Sequence, residues 1–133
     1  MELVNRFEDI DSLTGISMNV TANTLVVSIQ TELHDDIISE LQRQILTLIC
    51  NKKLRGALID VSGVKIIDSF ILRVLIDIVK MAKLLNAKVL YTGLKPEIIA
   101  TLVDFGDISS VIRVVLNIDE GLQILSSEAY GGA

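Results

Sequence analysis

Apolar and polar positions alternate over Ile16-Ser17-Met18-Asn19-Val20, the pattern of a short edge strand. Thr21-Ala22-Asn23-Thr24 then reads as a hairpin turn into the β-branched run Leu25-Val26-Val27-Ser28-Ile29. The period changes after that. Ile37, Ile38, Leu41, Ile45, Leu48 and Ile49 recur at three- and four-residue spacing, which predicts an amphipathic helix over 35–53. Asp35 and Asp36 fall in its first turn, where acids suit the helix dipole. Residues 56–61 are continuously apolar up to Asp60, so this strand is expected in the middle of a sheet and covered on both faces.

A second helix is predicted over 68–86, a strand over 88–92, a helix over 96–103 opened by Pro96, a strand over 111–116 and a closing helix over 118–126. Gly106 fits the stop of the third helix. An opening hairpin followed by three strand-helix-strand crossovers implies an α/β fold, a small, mostly parallel sheet covered by about four helices. Residues 1–15 are polar and acidic, with Leu3, Phe7 and Ile10 at helical spacing, and read as an extension of loose helix or arm. The domain proper is expected over 16–126, with 127–133 a frayed tail.

Composition narrows the functional classes. Half of the 133 residues are hydrophobic, yet no apolar run approaches the roughly 20 residues that span a bilayer. The amino terminus lacks the basic start and apolar stretch of a signal peptide, so a cytoplasmic protein without a membrane partner is expected. A formal net charge of −5 with scattered Lys and Arg argues against nucleic acid. Cys50 and His34 are each the sole residue of their type. They fall at opposite ends of one predicted helix, roughly 24 Å apart at 1.5 Å per residue, too far for a catalytic dyad. Cys50 follows Leu48 and Ile49 in the apolar pattern and is expected in the core.

The candidate chemistry sits at Ile67-Asp68-Ser69-Phe70, where the second long helix opens. Asp68 suits an N-cap, which leaves the Ser69 hydroxyl at the first helical position, free to face solvent and at the positive end of the dipole. The plain reading is a good helix start; the functional one is a phosphoacceptor. Asp60 and Asp68 have no third ligand for a metal and no base beside a nucleophile, so neither a metal site nor a cofactor is expected. Ser62 is a weaker rival phosphoacceptor, in the loop before the helix.

In the second helix, Phe70, Val74, Ile78, Met81 and Leu85 form a stripe able to cover a sheet. Leu72, Ile76 and Val79 lie outside that stripe; with Phe70 they mark either helix packing in the core or a subunit interface.

Three segments together resemble the STAS domain, the fold of bacterial anti-sigma-factor antagonists: Leu58-Ile59-Asp60-Val61-Ser62, Ile67-Asp68-Ser69, and Thr92-Gly93-Leu94-Lys95-Pro96. Asp68-Ser69-Phe70-Ile71, Arg73-Val74-Leu75 and Ser28-Ile29-Gln30-Thr31-Glu32-Leu33 are most similar to its stressosome scaffold subgroup, the RsbS type. Free antagonists usually follow the Asp-Ser pair with Ser or Thr and then Gly, where this chain has Phe70 and Ile71. The amino-terminal extension is also longer than that subgroup usually shows.

The resemblance implies a non-enzymatic scaffold phosphorylated on Ser69, with Asp68, Asp60 and Thr92 supporting the site. It implies co-assembly with sensor paralogues that carry a carboxy-terminal STAS domain (RsbR type), sequestration of a serine kinase (RsbT type), reversal by a phosphatase, and self-association in a large particle. Two other functions stay open: a free anti-sigma-factor antagonist, and a small α/β enzyme with a site near Asp60, Ser69 and Thr92.

Overall fold

The computed structural model describes residues 15–104 and 111–131. The expectations for residues 1–14 and for the stop at Gly106 lie outside the described residues. Five strands, β1 (Ile16–Thr21), β2 (Thr24–Ile29), β3 (Gly56–Asp60), β4 (Lys88–Thr92) and β5 (Arg113–Val115), form one sheet in sequential order. β1 pairs antiparallel with β2, and every later pairing is parallel. The β1–β2 turn places Ala22 and Asn23 at φ 50° and 60°, the doubly left-handed geometry that matches the twist of a two-residue hairpin.

Helices α1 (Asp35–Lys52), α2 (Ser69–Leu84) and α3 (Pro96–Asp104) fill the three crossovers, and α4 (Ile118–Gly131) follows β5. Right-handed crossovers that step in one direction across a sheet put their helices on one face. The core divides accordingly. Leu25, Val27, Ile59 and Tyr91 of the sheet join Ile38 and Ile45 of α1, Leu75 and Ile78 of α2 and Leu102 of α3. On the other face Leu58, Leu90 and Val115 meet Leu125 of α4. β3 therefore contributes to both cores, which is why its sequence is apolar without alternation.

Four details depart from the sequence reading. α4 runs on to Gly131, through the stretch expected as a tail from residue 127. β5 is Arg113–Val115 rather than 111–116, and it stops before Leu116 because its end is drawn into the next helix: the Glu120 amide donates to Asn117 Oδ1 at 2.8 Å, and the Leu116 amide to Glu120 Oε1 at 3.2 Å. That reciprocal cap competes with ladder pairing. Cys50 is exposed, since the buried face of α1 is made by Ile38, Leu41, Gln44, Ile45, Leu48 and Ile49.

The fourth concerns the faces of α2. Leu72 and Ile76, read as either helix packing in the core or a subunit interface, take the first role, at 1% and 4% exposure. Phe70, Met81 and Leu85 of the supposed sheet-facing stripe are instead exposed. The helix is wedged between the sheet and α1, so its buried arc is centred on Ile71, Leu75, Ile78 and Ala82 and widened on both sides by Leu72, Val74 and Ile76. Val79 is half-buried against the same core.

Tyr91 is fully buried in β4, and its hydroxyl donates to the Leu75 carbonyl at 2.7 Å, tying the sheet to α2. Burial holds its ionisation well above the usual tyrosine range. A raised folded pKa gives stability that is complete below the unfolded value near pH 10 and is lost as pH rises beyond it. Thermal melts from pH 8 to 11 are expected to fall faster for the wild type than for Tyr91→Phe above that point. Equal slopes would show that Tyr91 ionises without unfolding.

Among the described residues no helix is long and apolar enough to cross a membrane.

Candidate functional site

Because β2, β3 and β4 are parallel, the loops that leave them meet at one end of the sheet. The β3–α2 loop, residues 61–68, crosses between the other two. Its first residue extends the ladder: the Val61 amide donates to the Thr92 carbonyl at 2.9 Å. The Ser62 amide turns back to Asp60 Oδ1 at 2.9 Å, and the Val64 amide to the Val61 carbonyl at 3.0 Å, closing a turn. Val61 and Val64 are buried and anchor it below.

Both neighbouring loops clamp this turn. From the β2 side, Glu32 Oε1 accepts the Lys65 amide at 3.0 Å. The backbone at Gly63 lies so close to that loop that a Cβ there would stand 2.6 Å from Gln30 Oε1 and 2.7 Å from the Ile29 carbonyl oxygen. From the β4 side, Lys95 Nζ donates to the Val64 carbonyl at 3.0 Å. Sequence reasoning singled out neither Glu32, Gln30 nor Lys95 as functional, although all three lie in stretches that carry the family resemblance. The available signal was topological: three parallel strands deliver their loops to the same end.

The loop then delivers the helix start. Asp68 is the N-cap, in extended backbone, with Oδ1 accepting the Ile71 amide at 2.9 Å and its carbonyl accepting the Leu72 amide at 2.9 Å. Such caps stabilise a helix by about 1 kcal/mol. Ser69 is the first helical residue and is exposed, its hydroxyl uncommitted to the cap. Ile66 at 70% exposure and Phe70 at 42% are exposed apolar side chains on either side of it in the chain. Ile71 turns inward and fixes the first turn on the core.

Asp60 and Thr92 are register partners across β3 and β4. They line a cleft of about 420 Å³ with Ser62, Gly93, Leu116, Asn117, Ile118 and Asp119, and Ser69 is not in that lining. The Asp60 carboxylate and the Thr92 carbonyl hold the base of the loop rather than touching the serine. Asp68 is the expected supporting residue that adjoins it. No group of three or more metal-binding side chains occurs among the described residues.

A sheet opened by a hairpin, three helices on one face, and a capped serine at the β3–α2 junction define an α/β fold with a presented hydroxyl. The sequence model of the STAS domain matches residues 15–121, and the chain belongs to that family. Over 101 residues it is 34% identical to the RsbT co-antagonist protein RsbRA of Bacillus subtilis (strain 168), covering 75% of this chain and 35% of that protein. The chain thus spans about a third of that relative's length.

Two solved structures cover nearly their whole length. RsbS of Moorella thermoacetica, in a serine-to-glutamate variant, aligns with a TM-score of 0.76 at 29% identity, over 86% of this chain and 97% of that one. A chain from the stressosome, described as a signal integration and transduction hub, aligns at 0.68 and 26% identity, over 85% and 98%.

Proposed function

We propose that this chain is a non-enzymatic scaffold subunit of a stressosome-type signalling assembly. It co-assembles with sensor paralogues of the RsbR type, holds a serine kinase of the RsbT type, and releases it when that kinase phosphorylates Ser69. The observation that carries the reading is the presentation of Ser69: exposed, first in its helix, and mounted on a loop clamped from both sides. The likeness to RsbS and to a stressosome chain over nearly their whole lengths supports the assembly, and the likeness to a protein named as an RsbT co-antagonist supports a partner of the RsbT type.

The physics favours a surface switch over a refolding switch. A phosphate adds about −1.5 to −2 charges at neutral pH. The helix dipole favours it by roughly 0.3–1 kcal/mol, and the like charge of Asp68 alongside partly offsets that gain. Net strain on the fold is small, whereas the potential at a face exposing Ile66 and Phe70 changes sharply. A partner whose contact includes those side chains loses both apolar seating and charge complementarity. A phosphatase restores the resting face.

Incubation with the cognate kinase and ATP, phosphosite mapping, and kinase binding before and after test this. One phosphate on Ser69, none on Ser69→Ala, and at least a tenfold loss of kinase affinity are expected. Normal stoichiometry on Ser69→Ala would overturn the site. Light scattering with a sensor paralogue is expected to give a megadalton mass; a stable monomer or simple pair would instead indicate a free antagonist.

A further inference from the structure

One turn along α2 from Ser69 stands Arg73, also exposed. Residues four apart on a helix share a face. Cα–Cβ bonds tilt toward the helix amino terminus, so a long side chain at the later position runs back over the earlier one. Arg73 is uncommitted: the ion pair found among the described residues is Arg43–Glu40, and Arg73 donates to no described residue.

The other charges near the junction are placed differently. Lys95 Nζ is held by the Val64 carbonyl, and Glu32 Oε1 by the Lys65 amide. Asp68 Oδ1 is engaged by the Ile71 amide. Asp77, a further turn along the same face, is half-buried and forms no ion pair with Arg73.

We infer that Arg73 is the internal counter-ion of phosphorylated Ser69, its guanidinium pairing with the phosphate across one helical turn. The inference rests on reading Ser69 as the phosphoacceptor. Two guanidinium N–H groups match two phosphate oxygens, a pairing that lysine, a point charge, reproduces only in part. The consequence is a double change at one face: phosphorylation adds negative charge and withdraws a positive group that was free to meet a partner. The phosphate acts through Arg73 as well as by itself.

The test uses the full chain with phosphoserine installed at position 69 during translation, so it does not depend on any kinase. Phosphorus NMR then follows the second phosphate ionisation in wild type, Arg73→Gln, Arg73→Lys and Lys65→Gln. Pairing favours the dianion, so the wild-type ionisation is expected about 0.3 unit or more below that of Arg73→Gln. Arg73→Lys is expected in between, Lys65→Gln at the wild-type value, and the difference should close in about 1 M salt. Equal ionisation in wild type and Arg73→Gln would overturn the pairing, as would an equal shift from Lys65→Gln. Failure of the kinase to modify Ser69 would overturn the proposed function and leave this measurement standing.

Discussion

Leu72→Glu is expected to abolish cooperative folding, while Phe70→Glu, two residues away, leaves the melting temperature within a few degrees of wild type. Leu72 is 1% exposed in the principal core, and Phe70 is 42% exposed. Trimming a buried leucine to alanine already costs about 2–5 kcal/mol. Glutamate adds the penalty of an unpaired carboxylate in an apolar site, several kcal/mol more. The sum approaches or exceeds the 5–15 kcal/mol that holds a typical domain together.

Phe70→Glu instead places a carboxylate beside Ser69 on the outside. It is expected to lower kinase affinity at least tenfold in folded protein. Circular dichroism melts and size exclusion separate the two outcomes. A Leu72→Glu chain that melts cooperatively near the wild-type temperature would mean that Leu72 faces outward, and would return it to the interface.

That contrast marks where sequence reasoning held and where it slipped. Strand β3 was legible because a strand buried on both faces must be apolar throughout, and its central place in the sheet follows. The hairpin, the crossover order and the helix starts were legible because each is written in neighbouring residues: Asp68 caps the turn that begins beside it. Helix phase was harder. α2 carries apolar residues around most of its circumference, and periodicity cannot say which of two overlapping stripes faces in. Only the position of α1 beside it decides, and that is a tertiary fact. The exposure of Cys50 has the same origin, since it lies one residue past the buried arc of α1.

The site divides along the same line. Ser69 and its cap are local and were readable. The clamp is not: Glu32 reaches Lys65 across 33 positions, and Lys95 reaches Val64 across 31. Nothing in the spacing of those residues announces contact. It follows only once three parallel strands are known to empty their loops at one end. Asp60 and Thr92 show the reverse case, close to the motif by family pattern yet occupied in holding the base of the loop.

Gly93→Ala tests whether that clamp presents Ser69, and a loss of about 10 °C in melting temperature is expected. Gly93 has φ +85°, and a Cβ there would stand 2.5 Å from the Ser62 backbone nitrogen and 2.7 Å from its Cα. The left-handed backbone alone costs an alanine about 1–2 kcal/mol. The overlap is with main chain, which cannot rotate away, and raises the total to about 3 kcal/mol. At the entropy of unfolding of a domain this size, that converts to about 10 °C.

Relieving that overlap by lifting Ser62 from β4 stretches the bond from the Val61 amide to the Thr92 carbonyl and loosens the loop that ends at the Asp68 cap. Phosphorylation of Ser69 is therefore expected to slow several-fold even well below the melting temperature, where the chain is folded. Ser62→Gly in the same chain removes only the serine Cβ, and the closest approaches are to its backbone, so it is expected to restore little. A Gly93→Ala protein that melts within about 2 °C of wild type would show that the two loops are not pressed together. One that is destabilised yet phosphorylated at the normal rate would show that the clamp holds the fold without governing the serine.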